Sequence, residues 1–370
     1  MTATTSSRAT RTTTRTAVHR LPVLGAPLRR RALVVGALLA AACLALAVVA
    51  LGTGDYPLTP LQVVQAALDP SAGFARTVVL EWRMPRVLAA LAFGAALGAS
   101  GAVFQSLTRN PLGSPDVIGF STGAYTGALL VLTVGGVSSA FASATGSATG
   151  ATGGGAATTA GALAGGLLTA LAVYALARVR GAVQGYRLVV VGIAATAVLH
   201  AANTYLLLRA QTEVAMAGAV WGAGSLSTTG WGDLTWALGA LVVLVPALAL
   251  LAPALRQLEL GDDAASAHGV RVERARLGLV VVGVALVSVV TASSGPIAFV
   301  ALAAPQVARL LLRGPGLSLV GSALVGALLL VSADQVSQRL LSGVPVGVVT
   351  VVGGGAYLLV LLLVRARRTA

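Results

Sequence analysis

Residues 29–51 read RRRALVVGALLAAACLALAVVAL: three arginines, then an uncharged apolar run from Ala32 to Leu51. A bilayer's hydrocarbon core is about 30 Å thick and an α-helix rises about 1.5 Å per residue, so about twenty such residues are enough to cross it. Arginines crowded at one end mark the end that stays in the cytoplasm. The pattern repeats, with apolar runs at about 87–107, 116–134, 156–177, 188–208, 234–255, 277–294, 297–312, 317–333 and 344–364. With the first run, this predicts an all-α integral membrane protein of about ten transmembrane helices. The composition agrees: 56% of the 370 residues are apolar and only 10% are charged.

All 25 basic residues are arginine, against 11 carboxylates, for a net charge of +14. A nucleic-acid binder would gather such charge on polar faces with aromatic partners. Here the arginines sit in short loops between apolar runs, so that class is set aside. With the amino terminus inside, the cytoplasmic side of the ten-span arrangement collects 20 arginines, and the outside 5, namely Arg76, Arg83, Arg86, Arg209 and Arg339. The asymmetry predicts both termini in the cytoplasm. Residues 1–31, rich in Thr and Arg without a carboxylate, are expected to be a disordered basic tail, and residues 365–370 a short cytoplasmic end. Ala40-Ala41-Ala42-Cys43 loosely resembles a lipoprotein processing site, but the apolar run continues past Cys43, which reads as a small buried hydrophobe. A single cysteine also rules out an intrachain disulfide framework.

Two stretches interrupt the pattern. Residues 135–155, rich in Gly, Ala, Ser and Thr, read as a flexible loop. Between Arg209 and Asp233 a semi-apolar piece broken by glycine suits a short interfacial or re-entrant helix.

A phosphate-binding P-loop needs a lysine after its glycines. The chain has none, so Gly153-Gly154-Gly155 and Gly353-Gly354-Gly355 read as flexible-loop and close-packing glycines, and no ATP site or other cofactor is expected in this chain. His19, His200 and His268 are scattered, and no metal-ligand cluster or catalytic triad stands out, so the chain is expected to be no enzyme. Uphill transport would then draw on an ion gradient or on another subunit. Ion-coupled carriers place ionisable groups inside the membrane. The main candidate is Asp334 at the outer end of the ninth run, read either as a relay or as a helix-end carboxylate exposed to water or paired with Arg339.

Between the second and third runs lies Arg109-Asn110-Pro111-Leu112-Gly113-Ser114-Pro115-Asp116-Val117-Ile118-Gly119. Its prolines and Asn110 end one helix and start another, with Pro115 suited to a first helical turn and Asp116 to its positive end. Together with Arg83-Met84-Pro85-Arg86 and with Gly94, Gly98 and Gly101 in the second run, the segment resembles the iron-siderophore and cobalamin permease family of ABC importers. Members carry R-x-P-R, a glycine-rich helix and N-P-L-x-x-P-x-x-x-G in these places. The resemblance extends over roughly residues 30–365. Trp221-Gly222-Ala223-Gly224-Ser225-Leu226 is similar to the family's W-x-x-G-S-L, and Leu260-Gly261-Asp262-Asp263-Ala264-Ala265-Ser266-Ala267-His268-Gly269 to its L-G-x-x-x-A-x-x-L-G loop. Gly295-Pro296-Ile297-Ala298-Phe299-Val300, Pro305 to Arg309, Ala333-Asp334 and Val344-Pro345-Val346-Gly347-Val348 complete the set. His268, Ala301, Gln306 and Ala356 depart from the pattern, where Leu, Gly, His and Pro are usual.

The resemblance implies a multi-pass permease domain over 32–364 in a bacterial cell membrane, with the fold of a type II ABC importer. It implies a cytoplasmic loop, 256–276, of two short helices docking on an ATPase dimer, with Gly261, Asp262, Asp263, Ala265 and Gly269 at the contact. It also implies a second permease subunit, identical or paralogous, and an extracytoplasmic substrate-binding protein whose carboxylates dock on Arg83 and Arg339; Arg83 alternatively anchors its helix at the headgroups. The implied cargo is ferric siderophore, with cobalamin or haem as alternatives. An ion-coupled secondary transporter is the rival class.

Overall fold

The computed structural model describes residues 18–20, 27–135, 156–179, 182–183, 185–314, 316–341 and 343–369. It is helical but for two small antiparallel hairpins, β1 (Val18–Arg20) with β2 (Pro27–Arg29) and β3 (Arg178–Val179) with β4 (Ala182–Val183). The first falls within the basic tail, whose residues 1–17 and 21–26 lie outside the described residues. Residues 18–28 hold Val18, Leu21, Val23, Leu24 and Leu28, a local apolar content unlike the Thr/Arg stretch before it.

In chain order the helices are α1 (Arg30–Gly52), α2 (Pro60–Leu68), α3 (Gly73–Thr77) running through a π-helical turn (Val78–Arg83) into α4 (Met84–Thr108), α5 (Phe120–Gly135), α6 (Ala156–Ala177), α7 (Gly185–Arg209), α8 (Thr212–Gly222), α9 (Trp231–Glu259), α10 (Asp262–Ala267), α11 (Val272–Ser294), α12 (Val300–Leu312), α13 (Leu319–Arg339) and α14 (Val346–Thr369). Among the described residues, seven helical stretches are long and apolar enough to cross a membrane, and three shorter apolar helices lie at Phe120–Thr133, Val300–Leu312 and Val346–Val360. The short helices fall where the sequence places glycine and proline between apolar runs.

Burial separates centre from rim. In their most apolar windows the stretch containing α4 is 78% buried and α11 72%, whereas α1 and α7 reach only 17% and α9 22%. α4 and α11 are therefore the core, and the rim helices turn Leu44, Val198, Val242 and Leu250 outward. In lipid such exposure costs nothing, and helix association must come from close packing instead. The small residues supply it. Gly94 and Gly98 of α4 face Ser322 and Gly326 of α13 so closely that a Cβ on Gly98 would collide with the Ser322 carbonyl, and one on Gly326 with the Gly94 carbonyl. Gly123 and Gly127 of α5 meet Gly161 and Gly165 of α6 in the same way. Gly101 fits against the Ala301 carbonyl. Of the Gly353–Gly355 run only Gly354 is tightly packed, against the Phe299 side chain; Gly153–Gly155 lie outside the described residues.

Helix boundaries differ from the expected spans where polar contacts extend or break them. α5, the helix of the third expected run, begins at Phe120 and not at Asp116; Gly119 just before it takes φ +91°, and the turn opens with Leu112 N donating to the Asn110 side chain at 2.9 Å. Pro115 and Asp116 thus lie in the turn ahead of the helix. α11 begins at Val272 rather than 277, and α13 runs on to Arg339 rather than ending at 333. The semi-apolar piece after Arg209 forms the short helix α8.

Candidate functional site

The loop joining α9 to α11 turns on two glycines in the left-handed region, Gly261 at φ +120° and Gly269 at φ +82°. Side chains are strained there, which is why glycine serves at both corners. Between them stands α10, whose Ala265 is fully buried in the main core while Asp262 and Asp263 are exposed. His268 Nδ1 lies 2.7 Å from Gln257 Oε1, bracing the far corner. Two short helices were expected, but only one is separate among the described residues; the second is the opening turn of α11, continuous with the long helix.

The two aspartates differ. Asp262 Oδ1 accepts from Arg109 Nη2 at 2.9 Å and Oδ2 from Arg276 Nη2 at 2.8 Å. Arg276 also meets Glu273 at 3.0 Å, and its side chain is only 9% exposed. Asp262 therefore binds α10 to the C-terminal cap of α4 and to the second turn of α11. Asp263 has no side-chain partner among the described residues, and Arg256, Arg271 and Arg274 of the same segment, 256–276, are exposed. Arg109 sits at φ +49° and also donates to Leu258 O at 3.2 Å. It heads the turn Asn110–Gly119, in which Leu112 is exposed, Pro111 half-buried and Pro115 buried. Ser106 of α4 adds a 3.0 Å bond to Glu259 at the end of α9. Deeper in, the Gln105 amide donates to Leu302 O at 2.9 Å and its oxygen accepts from Gln306, the residue standing where the family usually has His. Pro305 is buried one turn along α12.

At the other end of α11 three helix breaks converge. Ser225 N donates to Ser294 O at 2.7 Å, and Gly347 N, at the start of α14, donates to Gly224 O at 2.9 Å. Gly224 and Gly295 both take positive φ, and a Cβ on either would strike the other strand of the knot, at Pro296 O and Trp221 O. Tyr125 of α5 stacks on Trp221 with ring centroids 5.8 Å apart and donates to Gly218 O at 3.0 Å. Pro345 precedes α14 and its carbonyl accepts from Val348 N.

Beside α1, Asp334 is 1% exposed. Its expected partner was Arg339 or water; its partner is Arg86. Arg86 Nη2 donates to Oδ1 at 2.7 Å and Nε lies 3.1 Å from both oxygens, while Gln338 Nε2 donates to Oδ2 at 2.7 Å. The helix extends past 333, carrying Asp334 inside the α4–α13 contact, where it is buried beside a partly exposed Arg86. With both oxygens engaged, the carboxylate is a fixed ion pair. Arg83 and Arg339 instead gather at the C-terminal end of α1, whose last carbonyls lack helical partners. Arg83 donates to Leu51 O at 2.9 Å and Tyr56 O at 2.7 Å; Arg339, exposed, reaches Thr53 Oγ1 and Val49 O. Among the described residues no group of three or more His, Cys, Asp or Glu could hold a metal ion.

The profile of the FecCD transport family matches residues 32–364. The chain belongs to that family. The ferric enterobactin transport system permease protein FepG of Escherichia coli (strain K12) is 42% identical over 341 residues, spanning 92% of this chain and 98% of the relative. The Fe(3+)-citrate import system permease protein YfmE of Bacillus subtilis (strain 168) is 32% identical over 92% of this chain and 98% of its own length. A solved metal-chelate type ABC transporter in an inward-facing conformation superposes with TM-score 0.73 at 26% identity, covering 90% of this chain and 99% of the other. This FecCD-family chain is thus a multi-pass membrane permease of the siderophore and iron ABC transport class.

Sequence reasoning singled out Asp262 without its partners, and it passed over Arg276 and Glu273, which the expected span left in a loop. Their placement could have been found from Val272-Glu273-Arg274-Ala275-Arg276, an amphipathic lead-in with a carboxylate suited to a helix start.

Proposed function

We propose that this chain is the membrane-spanning subunit of an importer that takes up ferric siderophore, driven by ATP hydrolysis in a separate ATPase dimer that docks on α10. It works with a second permease subunit, identical or paralogous, and with an extracytoplasmic binding protein, and holds no ATP itself. The observation that carries the reading is the double tether on Asp262. A push on α10 is passed through Arg109 to the Asn110–Gly119 turn and through Arg276 to α11. As a rigid 23-residue helix, α11 spans about 35 Å at about 1.5 Å per residue, enough to reach the outer knot at Gly224, Gly295 and Gly347. Closing the ATPase dimer would thereby move helix breaks on the far side of the membrane. Asp263 and the exposed arginines of the same segment supply the contact, and a groove bearing both charge signs fits them better than a purely basic one.

Ferric siderophore is favoured over cobalamin because the 42% relative over nearly the whole chain is named for a ferric siderophore. Outside, Arg83 and Arg339 stand ready for carboxylates of the binding protein, each with donor N–H groups beyond those used on α1. The test is growth of a deletion strain under iron limitation with defined siderophores, complemented by this gene. Growth restored by cobalamin-dependent selection and by no siderophore would reassign the cargo; uptake that persists when the partner ATPase is inactivated would overturn the ATP-driven reading.

A further inference from the structure

α2 has three faces where an ordinary surface helix has two. Successive helical residues are about 100° apart, so Val63, Ala66 and Ala67 share one sector, Gln62, Gln65 and Asp69 a second, and Leu61, Val64 and Leu68 a third. The first is turned inward, with Val63 and Ala66 buried against Val79. The second is polar and exposed. The third is apolar yet 67%, 53% and 77% exposed, with no partner in the described chain. A capping box of Thr59 and Gln62 fixes where the helix starts, and Arg76 donates to Ala67 O at 3.1 Å, so the orientation of these faces is held at both ends.

Next to α2, Tyr56, Phe74 and Trp82 form an edge-to-face chain with centroid distances of 5.5 and 5.8 Å, and all three are exposed. Tyr and Trp gather where a membrane meets water, because each has an apolar body and a polar tip. α1, which leads directly into this cap, is exposed along its apolar length, with Leu44 and Val49 facing outward. The cap therefore continues a surface that already faces lipid.

We propose that α2 is an interfacial anchor, lying along the extracytoplasmic leaflet with Leu61, Val64 and Leu68 at the acyl boundary, Gln62, Gln65 and Asp69 in water, and Val63 and Ala66 on the protein. The Tyr56–Phe74–Trp82 chain sits at headgroup level beside it. Since Arg83 grips the carbonyls of Leu51 and Tyr56, the anchor also sets the height of that arginine above the membrane. The proposal holds for any cargo.

The test uses the full chain in phospholipid vesicles, with the lone cysteine removed as Cys43→Ala and a nitroxide label placed singly through Leu61→Cys, Gln62→Cys, Val63→Cys, Val64→Cys, Gln65→Cys and Leu68→Cys. Collision rates are measured with oxygen, which concentrates in lipid, and with a water-soluble nickel chelate. The expected result is a several-fold higher oxygen-to-nickel ratio at positions 61, 64 and 68 than at 62 and 65, and shielding from both probes at 63. Nickel access at 61, 64 and 68 equal to that at 62 and 65 would place the stripe in water, free for a protein partner. Shielding of the stripe from both probes would mean that protein covers it. Either outcome overturns the anchor, and shielding at position 63 from both probes reports that the helix is folded against the protein.

Discussion

Removing either member of the Arg86–Asp334 pair should destabilise the fold, but by unequal amounts. The Asp334 side chain is 2% exposed and short, whereas Arg86 is 19% exposed on a long stem. In Arg86→Leu the carboxylate stays buried with only Gln338 to serve it, which puts the loss near the upper end of the about 3–5 kcal/mol expected for breaking a buried pair. In Asp334→Leu the guanidinium can swing toward the surface it already touches, so the loss falls at about 3 kcal/mol or below. Removing both charges together, as Arg86→Leu/Asp334→Leu, should cost much less than either single change and can come out near neutral, because no buried charge is left without a partner. The assay is reversible unfolding in mixed micelles, followed by helical circular dichroism and analysed as a double-mutant cycle. Additive losses would refute the ion pair, and a greater loss for Asp334→Leu than for Arg86→Leu would refute the exposure argument. A relay carboxylate would give a different pattern, with uptake abolished and folding unchanged.

Further outcomes follow from the same geometry. Asp262→Asn should weaken the transfer of motion from α10, lowering siderophore uptake per ATP hydrolysed by about 5- to 150-fold, the span of about 1–3 kcal/mol of coupling; Asp263→Arg should instead weaken ATPase association, and co-purification separates the two. Gly98→Leu should cost about 1–3 kcal/mol or more by forcing α4 from α13, while Gly353→Ala, inside α14 with nothing near its Cβ, should leave thermal stability in detergent undiminished or slightly raised. Arg83→Glu with Arg339→Glu should weaken binding-protein association in a pull-down by at least about tenfold, as expected for like charges set against carboxylates; unchanged affinity would exclude the docking role.

Much of this helical fold can be read from one dimension of its sequence, because lipid demands long apolar runs. Gly261 and Gly269 were likewise legible, since only a backbone in the left-handed region explains glycines at both corners of a polar loop. What eluded reading were contacts made across long separations. Arg86 and Asp334 are 248 residues apart, and nothing local distinguishes Arg339, five residues from Asp334, from the true partner. Pro115 shows a different failure: a rule for first-turn prolines favoured a helix there, but the positive φ of Gly119 holds the helix off until Phe120. The meeting of Gly224, Gly295 and Gly347 was invisible for a third reason. Each is bound through backbone atoms, and backbone atoms leave no signature in residue type beyond the glycine itself.

The seam between α4 and α13 has one more consequence. Gly94, Gly98, Ser322 and Gly326 bring main chain against main chain, so at its tightest point the contact contains almost no rotamers to rearrange. A surface built of flexible side chains can yield by degrees; this one can only hold or part. The two helices must then travel together through the transport cycle as a stiff keel, and the bending has to be taken up at the glycine corners elsewhere.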